Sequence, residues 1–135
     1  MIFYMIMLDT SFVVAYFNTR DQNHDSAIKT AKILARQNHE LYVTDYLFGE
    51  IVTVSLVRLK NLEKATHIGK IILEYCNLIH VDKEIFDHAW KIFSEQKLRL
   101  SFVDCTTIVA MKSQKMQQIA TFDNDFNNVE GIEIC

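Results

Sequence analysis

Four carboxylates spread along the chain, Asp9, Glu50, Asp104 and Asp123, are the residues best suited to chemistry. Asp9 ends the apolar run Met5 to Leu8, and Glu50 interrupts a mostly apolar helical stretch. Asp104 closes Ser-Phe-Val-Asp, and Asp123 stands in Ala-Thr-Phe-Asp-Asn-Asp-Phe. Brought together, such acids repel one another until a hard cation is bound by their oxygens, and an all-oxygen set suits Mg²⁺ or Mn²⁺. Ions held this way lower the pKa of a water, orient it on a phosphodiester and stabilise the departing oxygen; in two-ion sites they sit about 3.5 to 4 Å apart. No Cys or His nucleophile is required.

Each acid also has a plainer use. Asp104 fits the third position of a helix capping box begun by Ser101. Asp123 can be a turn residue, because Asp-Asn-Asp is good turn chemistry. Asp9 can simply favour the start of its helix through the dipole. Glu50 is the hardest to treat this way: its helical neighbours are Tyr46, Leu47, Thr53 and Val54, so burial is expected, and a buried carboxylate needs a lysine or a cation as partner.

The elements that must position these acids alternate between strands and helices. Met5 to Leu8 reads as a strand buried on both faces, with Asp9 at its carboxyl end, where open α/β sheets place ligand sites. Thr10 and Ser11 are expected to cap a helix through Phe12 to Phe17. A second helix runs from a cap at Asn23 or Asp25 to about Gln37, a short strand covers Leu41 to Val43, and Thr44 or Asp45 caps a helix to about Lys60. That helix is apolar nearly all round, which implies a buried element. Helices follow over Leu62 to Tyr75, Asp82 to about Lys97 and Ser101 to about Ser113, with strands at Leu78 to Val81, Gln117 to Phe122 and Gly131 to Ile134. The pattern predicts a three-layer α/β/α sandwich around a mainly parallel sheet, as one domain over residues 1–135.

Composition narrows the function classes. Half of the 135 residues are hydrophobic, which excludes a disordered chain. No apolar run reaches the roughly 18 residues of a membrane span, and the start lacks the basic region of a signal peptide, so no membrane partner is expected. Three cysteines, Cys76, Cys105 and Cys135, lack metal-like spacing and point to reduced, packed thiols in the cytoplasm. The formal charge of -3 looks unfavourable for a nucleic-acid binder. Setting four of the 17 acids aside in a metal site leaves 13 against 14 Lys and Arg, so the outer surface need not repel phosphate. The bases, among them Arg20, Arg58, Lys60 and Lys64, are scattered, and no block of them marks an RNA-binding face.

Taken in order, Leu-Asp-Thr-Ser, Phe-Gly-Glu-Ile, Ser-Phe-Val-Asp-Cys and Ala-Thr-Phe-Asp-Asn-Asp-Phe resemble the acidic motifs of PIN-domain ribonucleases, and the chain is most similar to VapC-type toxins of prokaryotic toxin-antitoxin pairs. The resemblance covers essentially the whole chain. It implies Mg²⁺- or Mn²⁺-dependent endonucleolytic cleavage of RNA, a homodimer, and inhibition by a cognate antitoxin protein. Carried over by residue, it makes Asp9, Glu50, Asp104 and Asp123 the metal-binding and catalytic acids, with Asp9 and Asp104 foremost as ligands. It assigns Thr121 to placing the water and Asp125 to a supporting position behind the ligands. Two departures stand out: Met1 to Tyr4 lengthen the usual lead-in, which makes Met5 an alternative start, and bases are sparser than a strong RNA binder suggests.

Other classes fit less well. A haloacid-dehalogenase-like phosphatase needs a second acid two residues after the first, and Ser11 stands there. A phospho-receiver needs a paired acid beside its strand-end Asp and a lysine after a late strand, and neither is present. The non-enzymatic alternative is a catalytically silent PIN-like binding or scaffold module. The five histidines show no zinc-type pairing and fit surface or capping roles. Phe86, Trp90 and Phe93, at helical spacing, are expected in the core or a dimer interface rather than as a base-stacking platform. Apolar surface on Leu47 to Leu59 and Ile68 to Tyr75 is expected to receive an antitoxin helix or a second subunit.

Overall fold

The strands are short, two to five residues each, and helices supply most of the mass. The computed structural model describes residues 4–135, so the expectation about the lead-in, Met1 to Tyr4, lies outside the described residues except for Tyr4. Along the chain come β1 (Met5–Leu8), α1 (Thr10–Phe17), α2 (His24–Arg36), β2 (Glu40–Thr44), α3 (Asp45–Leu59) and α4 (Leu62–Tyr75). Then follow β3 (Asn77–Ile79), α5 (Lys83–Glu95), α6 (Phe102–Ser113), β4 (Gln118–Ala120), a 3-10 turn over Asn124–Asn128 and β5 (Glu133–Ile134).

Among the described residues the strands form one five-stranded sheet in the order β3-β2-β1-β4-β5, parallel throughout. The helices flank it in two layers, giving the expected α/β/α arrangement. β1 is the centre because Ile6, Met7 and Leu8 are buried on both faces, as strands covered by helices must be. The chain first builds outward through β2 and β3, then returns to the other side of β1 with β4. The order therefore reverses between β1 and β4, and the crevice at their carboxyl ends is where such sheets bind ligands. Leu8 pairs with Ala120 there, and the Asp9 amide donates to the Ala120 carbonyl at 3.0 Å, so the register sets Asp9 beside Thr121.

The core is aliphatic: Ile6, Met7, Val43, Leu47, Ile51, Met111 and Ile119 are fully buried, each stabilising by roughly 1.5–3 kcal/mol relative to exposure. α6 is enclosed over every residue from Cys105 to Met111. It carries two polar side chains into that core, Thr106 and Thr107, whose hydroxyls donate back to the Val103 carbonyl at 2.6 and 2.9 Å. Gly69 lets α4 approach α3: a Cβ there would meet Val52 Cγ1 at 3.1 Å. Gly131, at φ +81, makes the left-handed turn into β5 that other residues rarely adopt.

Several local expectations need correction. α1 begins at Thr10 with Asp9 as its N-cap residue, and the hydroxyls of Thr10 and Ser11 do not cap it; they bond elsewhere in the cleft described below. α3 is not buried all round: Leu47, Ile51 and Ser55 are buried, while Leu56 and Val57 lie exposed on the opposite side. β3 ends at Ile79 rather than Val81, because Val81 turns its amide to the Asp45 side chain at 3.0 Å. β4 is three residues long, half the expected span, because beyond Ala120 the chain leaves the ladder. Phe86, Trp90 and Phe93 are substantially exposed, clustered on Phe102. Cys76 and Cys105 are packed thiols, whereas Cys135 is exposed.

Candidate active site

A cleft of about 790 Å³ opens at the reversal point, and Asp9, Glu50, Asp104 and Asp123 all line it. Four different elements deliver them. Asp9 follows β1, Glu50 sits in the second turn of α3, Asp104 is in the first turn of α6, and Asp123 starts the 3-10 turn after β4. The residues are 41, 54 and 19 positions apart in turn, so only the parallel sheet brings them to one rim.

Asp9 is the most constrained. It is 5% exposed, and its Oδ2 accepts the Thr121 hydroxyl at 2.6 Å and the Ser11 hydroxyl at 3.2 Å. Thr121 Oγ1 in turn accepts the Asp123 amide at 3.0 Å, and Ser11 Oγ accepts the Phe122 amide at 2.9 Å. The two hydroxyls lie 3.1 Å apart, so the ends of β1 and β4 are joined by one network. Burial pushes the Asp9 carboxyl up to about 6, and the Asp104 charge adds to this against the opposing hydrogen bonds.

Asp104 plays both of the parts open to it. The Ser101 side chain accepts the Asp104 amide and the Asp104 Oδ2 accepts the Ser101 amide, each at 3.0 Å, completing a capping box. Burial nonetheless raises its carboxyl above the ordinary range, and the charges of Asp123 and Glu50 raise it further. Asp123 behaves as the turn residue it resembles, its Oδ1 accepting the Asp125 amide at 3.0 Å, while also facing the cleft.

Glu50 departs from expectation. It is partly exposed, and its Oε1 accepts the Thr10 hydroxyl at 2.5 Å. The cost of an uncompensated buried carboxylate therefore falls on Asp9. The lysine partner considered for Glu50 is not found: among the described residues the ion pairs are Arg58–Asp21, His80–Asp45 and Lys83–Asp87. None of the four acids is neutralised by a basic side chain within that set.

The hydrogen bonds of each acid converge on a single oxygen, so the second oxygen of each retains lone pairs for another partner. This donor set is entirely oxygen and strongly negative, which fits Mg²⁺ or Mn²⁺ and not a soft ion. Among the described residues no three such side chains already stand at metal-binding spacing. The acids share a rim without being drawn onto one point, as mutually repelling charges do. Thr10 and Ser11 were missed as site residues. The signal lies in Leu-Asp-Thr-Ser, where both hydroxyls follow the strand-end acid, but the same spacing fits helix caps.

Two histidines and one cysteine have structural roles. His24 Nδ1 lies 2.8 Å from the Ala15 carbonyl, tying α2 to α1, and His39 bonds Tyr4 and Gln37, so both serve structure. Burial raises the Cys105 thiol, with Asp104 beside it adding to the effect, which disfavours its thiolate.

Comparison with known proteins bears on the same residues. A search of curated proteins found no match. Among solved structures the chain is similar to Mycobacterium tuberculosis VapC20, a toxin that cleaves the sarcin-ricin loop, at 27% identity and a TM-score of 0.79, covering 91% of this chain and 93% of that one. It is similar in fold to VapBC2 from Rickettsia felis, solved bound to a DNA fragment from their promoter, at 15% identity and a TM-score of 0.74, with 97% of both chains covered. VapBC-1 from nontypeable Haemophilus influenzae matches at 16% identity and a TM-score of 0.68, covering 97% and 96%. The sequence model of the PIN domain matches residues 6–132, a span that begins inside β1 and includes all four acids. A parallel sheet that reverses at β1, acids from four elements around that point and this match agree: the chain belongs to the PIN domain family.

Proposed function

We propose that this chain, as one nuclease domain over residues 1–135, is a metal-dependent endoribonuclease and the toxin of a type II toxin-antitoxin pair. The observation that carries the reading is the cleft itself: four acids from four elements, none paired with a basic residue among those described, each with an oxygen to spare. The VapC and VapBC likenesses support the toxin assignment.

Asp9 and Asp104 would hold the cation most directly, with Glu50 and Asp123 completing the set. A bound Mg²⁺ or Mn²⁺ supplies Lewis-acid activation of the phosphodiester and of the attacking water. The protein's own share is orientation. Thr121 and Ser11 fix the Asp9 carboxylate through one oxygen, Thr10 fixes Glu50, and the capping box fixes Asp104. In this reading Thr121, buried behind the cleft wall, would help place a water only through the Asp9 carboxylate that its hydroxyl holds, and Asp125, which touches Asp123 through its backbone amide, would support that acid by fixing its turn. Burial limits screening of Asp9 by bulk water, so a cation held there would feel its charge more fully than at an open surface.

The antitoxin's place in this reading is the apolar groove between α3 and α4. It has a volume of about 350 Å³ and is lined by Phe48, Val52, Leu56, Leu62, Ala65 and Leu73, a surface suited to an amphipathic helix. The homodimer in this reading uses the exposed aromatic face of α5, where Trp90 and Phe93 stack at 5.8 Å. No helix among the described residues is long and apolar enough to cross a membrane, and a toxin that cuts cellular RNA acts in the cytoplasm.

Purified protein incubated with RNA and Mn²⁺, beside Asp9→Asn, tests the activity. Cleavage by the wild type alone is expected. Equal cleavage by both would identify a contaminant, and no cleavage of any RNA would favour the silent scaffold module.

A further inference from the structure

The acids account for one phosphate of a substrate, the one at which the bond breaks. Phosphates on either side meet an acidic rim unless cations are supplied for them. A second cleft, of about 770 Å³, supplies cations on one side. Asn18, Arg20 and Arg58 line both clefts, and Lys64 and His67 extend the wall of the second, with Glu63 as an opposing acid. Arg20, in the turn after α1, is far in sequence from the other two, Arg58 in the last turn of α3 and Lys64 in the first turns of α4. Arg58 is held at the junction by Asp21, at 3.8 Å, with more than half of its side chain exposed. Arg20 and Lys64 have no ion-pair partner among the described residues.

We propose that this basic cleft carries the ribose-phosphate backbone of single-stranded RNA leading away from the acidic cleft. Arg20 and Arg58 hold the phosphates nearest the acids, and Lys64 holds one further out. The assignment rests on the nuclease reading. It gives a chain of net charge -3 a local route for a polyanion, because the fold collects at one place bases that the sequence disperses. Arg58 is the hinge of the arrangement, since it touches both clefts and is oriented by Asp21.

The test measures binding of a short labelled single-stranded RNA in Mn²⁺ against salt concentration, in an Asp104→Asn background so that bound RNA survives. Each of Arg20→Gln and Lys64→Gln is expected to make the slope of log affinity against log salt shallower by about 0.7, the value for one single-strand phosphate contact, and the double variant by about twice that. Lys91→Gln, on α5 and lining neither cleft, is expected to leave it unchanged. Slopes unaltered in both cleft variants, or lowered equally by Lys91→Gln, would overturn the proposal. Cleavage of the same RNA by the wild type is scored separately. Unaltered slopes with cleavage intact sink the basic cleft alone, whereas absence of both binding and cleavage sinks the nuclease reading with it.

Discussion

Asp9 carries a conflict between stability and function. Its folded carboxyl titrates at about 6 against 3.8 in an open chain, so the fold favours the protonated form. The sign follows: this stabilisation is complete below about pH 4 and is lost as pH rises through 6, amounting to about 3 kcal/mol by pH 7. Asp9→Asn is therefore expected to raise the unfolding free energy of the metal-free protein at pH 7 by about 2 kcal/mol while abolishing cleavage. Urea unfolding in chelator at pH 7 and pH 4.5 checks this, and the advantage should shrink at the lower pH. A variant less stable than the wild type at both pH values would contradict it. The strand-end acid was legible because an apolar run stops at it. Glu50 was legible for a mistaken reason: its apolar neighbours suggested burial, yet one side of α3 faces solvent and Thr10 bonds it. The Thr10 and Ser11 hydroxyls were legible as polar groups but not as partners of an acid, since a cap and a cross-strand bond use the same side chain.

At the scale of elements, local signals with a defined geometry located well. α4 runs from Leu62 to Tyr75, and the Ser101 box starts α6, both as the sequence indicates. Ser101→Ala removes one half of that box and is expected to cost about 1 kcal/mol, read as a lower urea midpoint at unchanged slope. It also loosens Asp104, so cleavage should fall by more than the small stability loss explains. Periodicity failed where an apolar face does not point to the core. Leu56 and Val57 on α3 and Trp90 on α5 look like core residues in sequence and are exposed in the fold, because hydrophobic spacing does not distinguish a core from a surface kept for another molecule. The short β4 was overread for a related reason: Thr121 and Phe122 continue the apolar strand signal, but Thr121 is turned to Asp9 instead of to a ladder.

At the scale of the molecule, the sheet order converts dispersed residues into two adjoining clefts, and nothing local could have foretold the basic one. The parallel α/β/α class followed from alternation of elements, whereas which bases meet depends on how α1, α3 and α4 pack. The groove between α3 and α4 gives a prediction at this scale. Gly69→Leu overfills the closest approach of the two helices, against Val52 and Phe48, and is expected to cost about 1–3 kcal/mol. Under the proposed toxin reading, it should weaken binding of an antitoxin at least tenfold while the proposed Mn²⁺-dependent cleavage persists. Unchanged antitoxin binding would show that the partner docks elsewhere.

In the proposed nuclease, acids from separate elements share bound divalent metal. Calorimetric titration of Mn²⁺ into the wild type, Asp9→Asn and Asp104→Asn tests it most directly. Saturable binding by the wild type and at least tenfold weaker binding by each variant are expected; affinity unchanged in both variants would contradict a shared site.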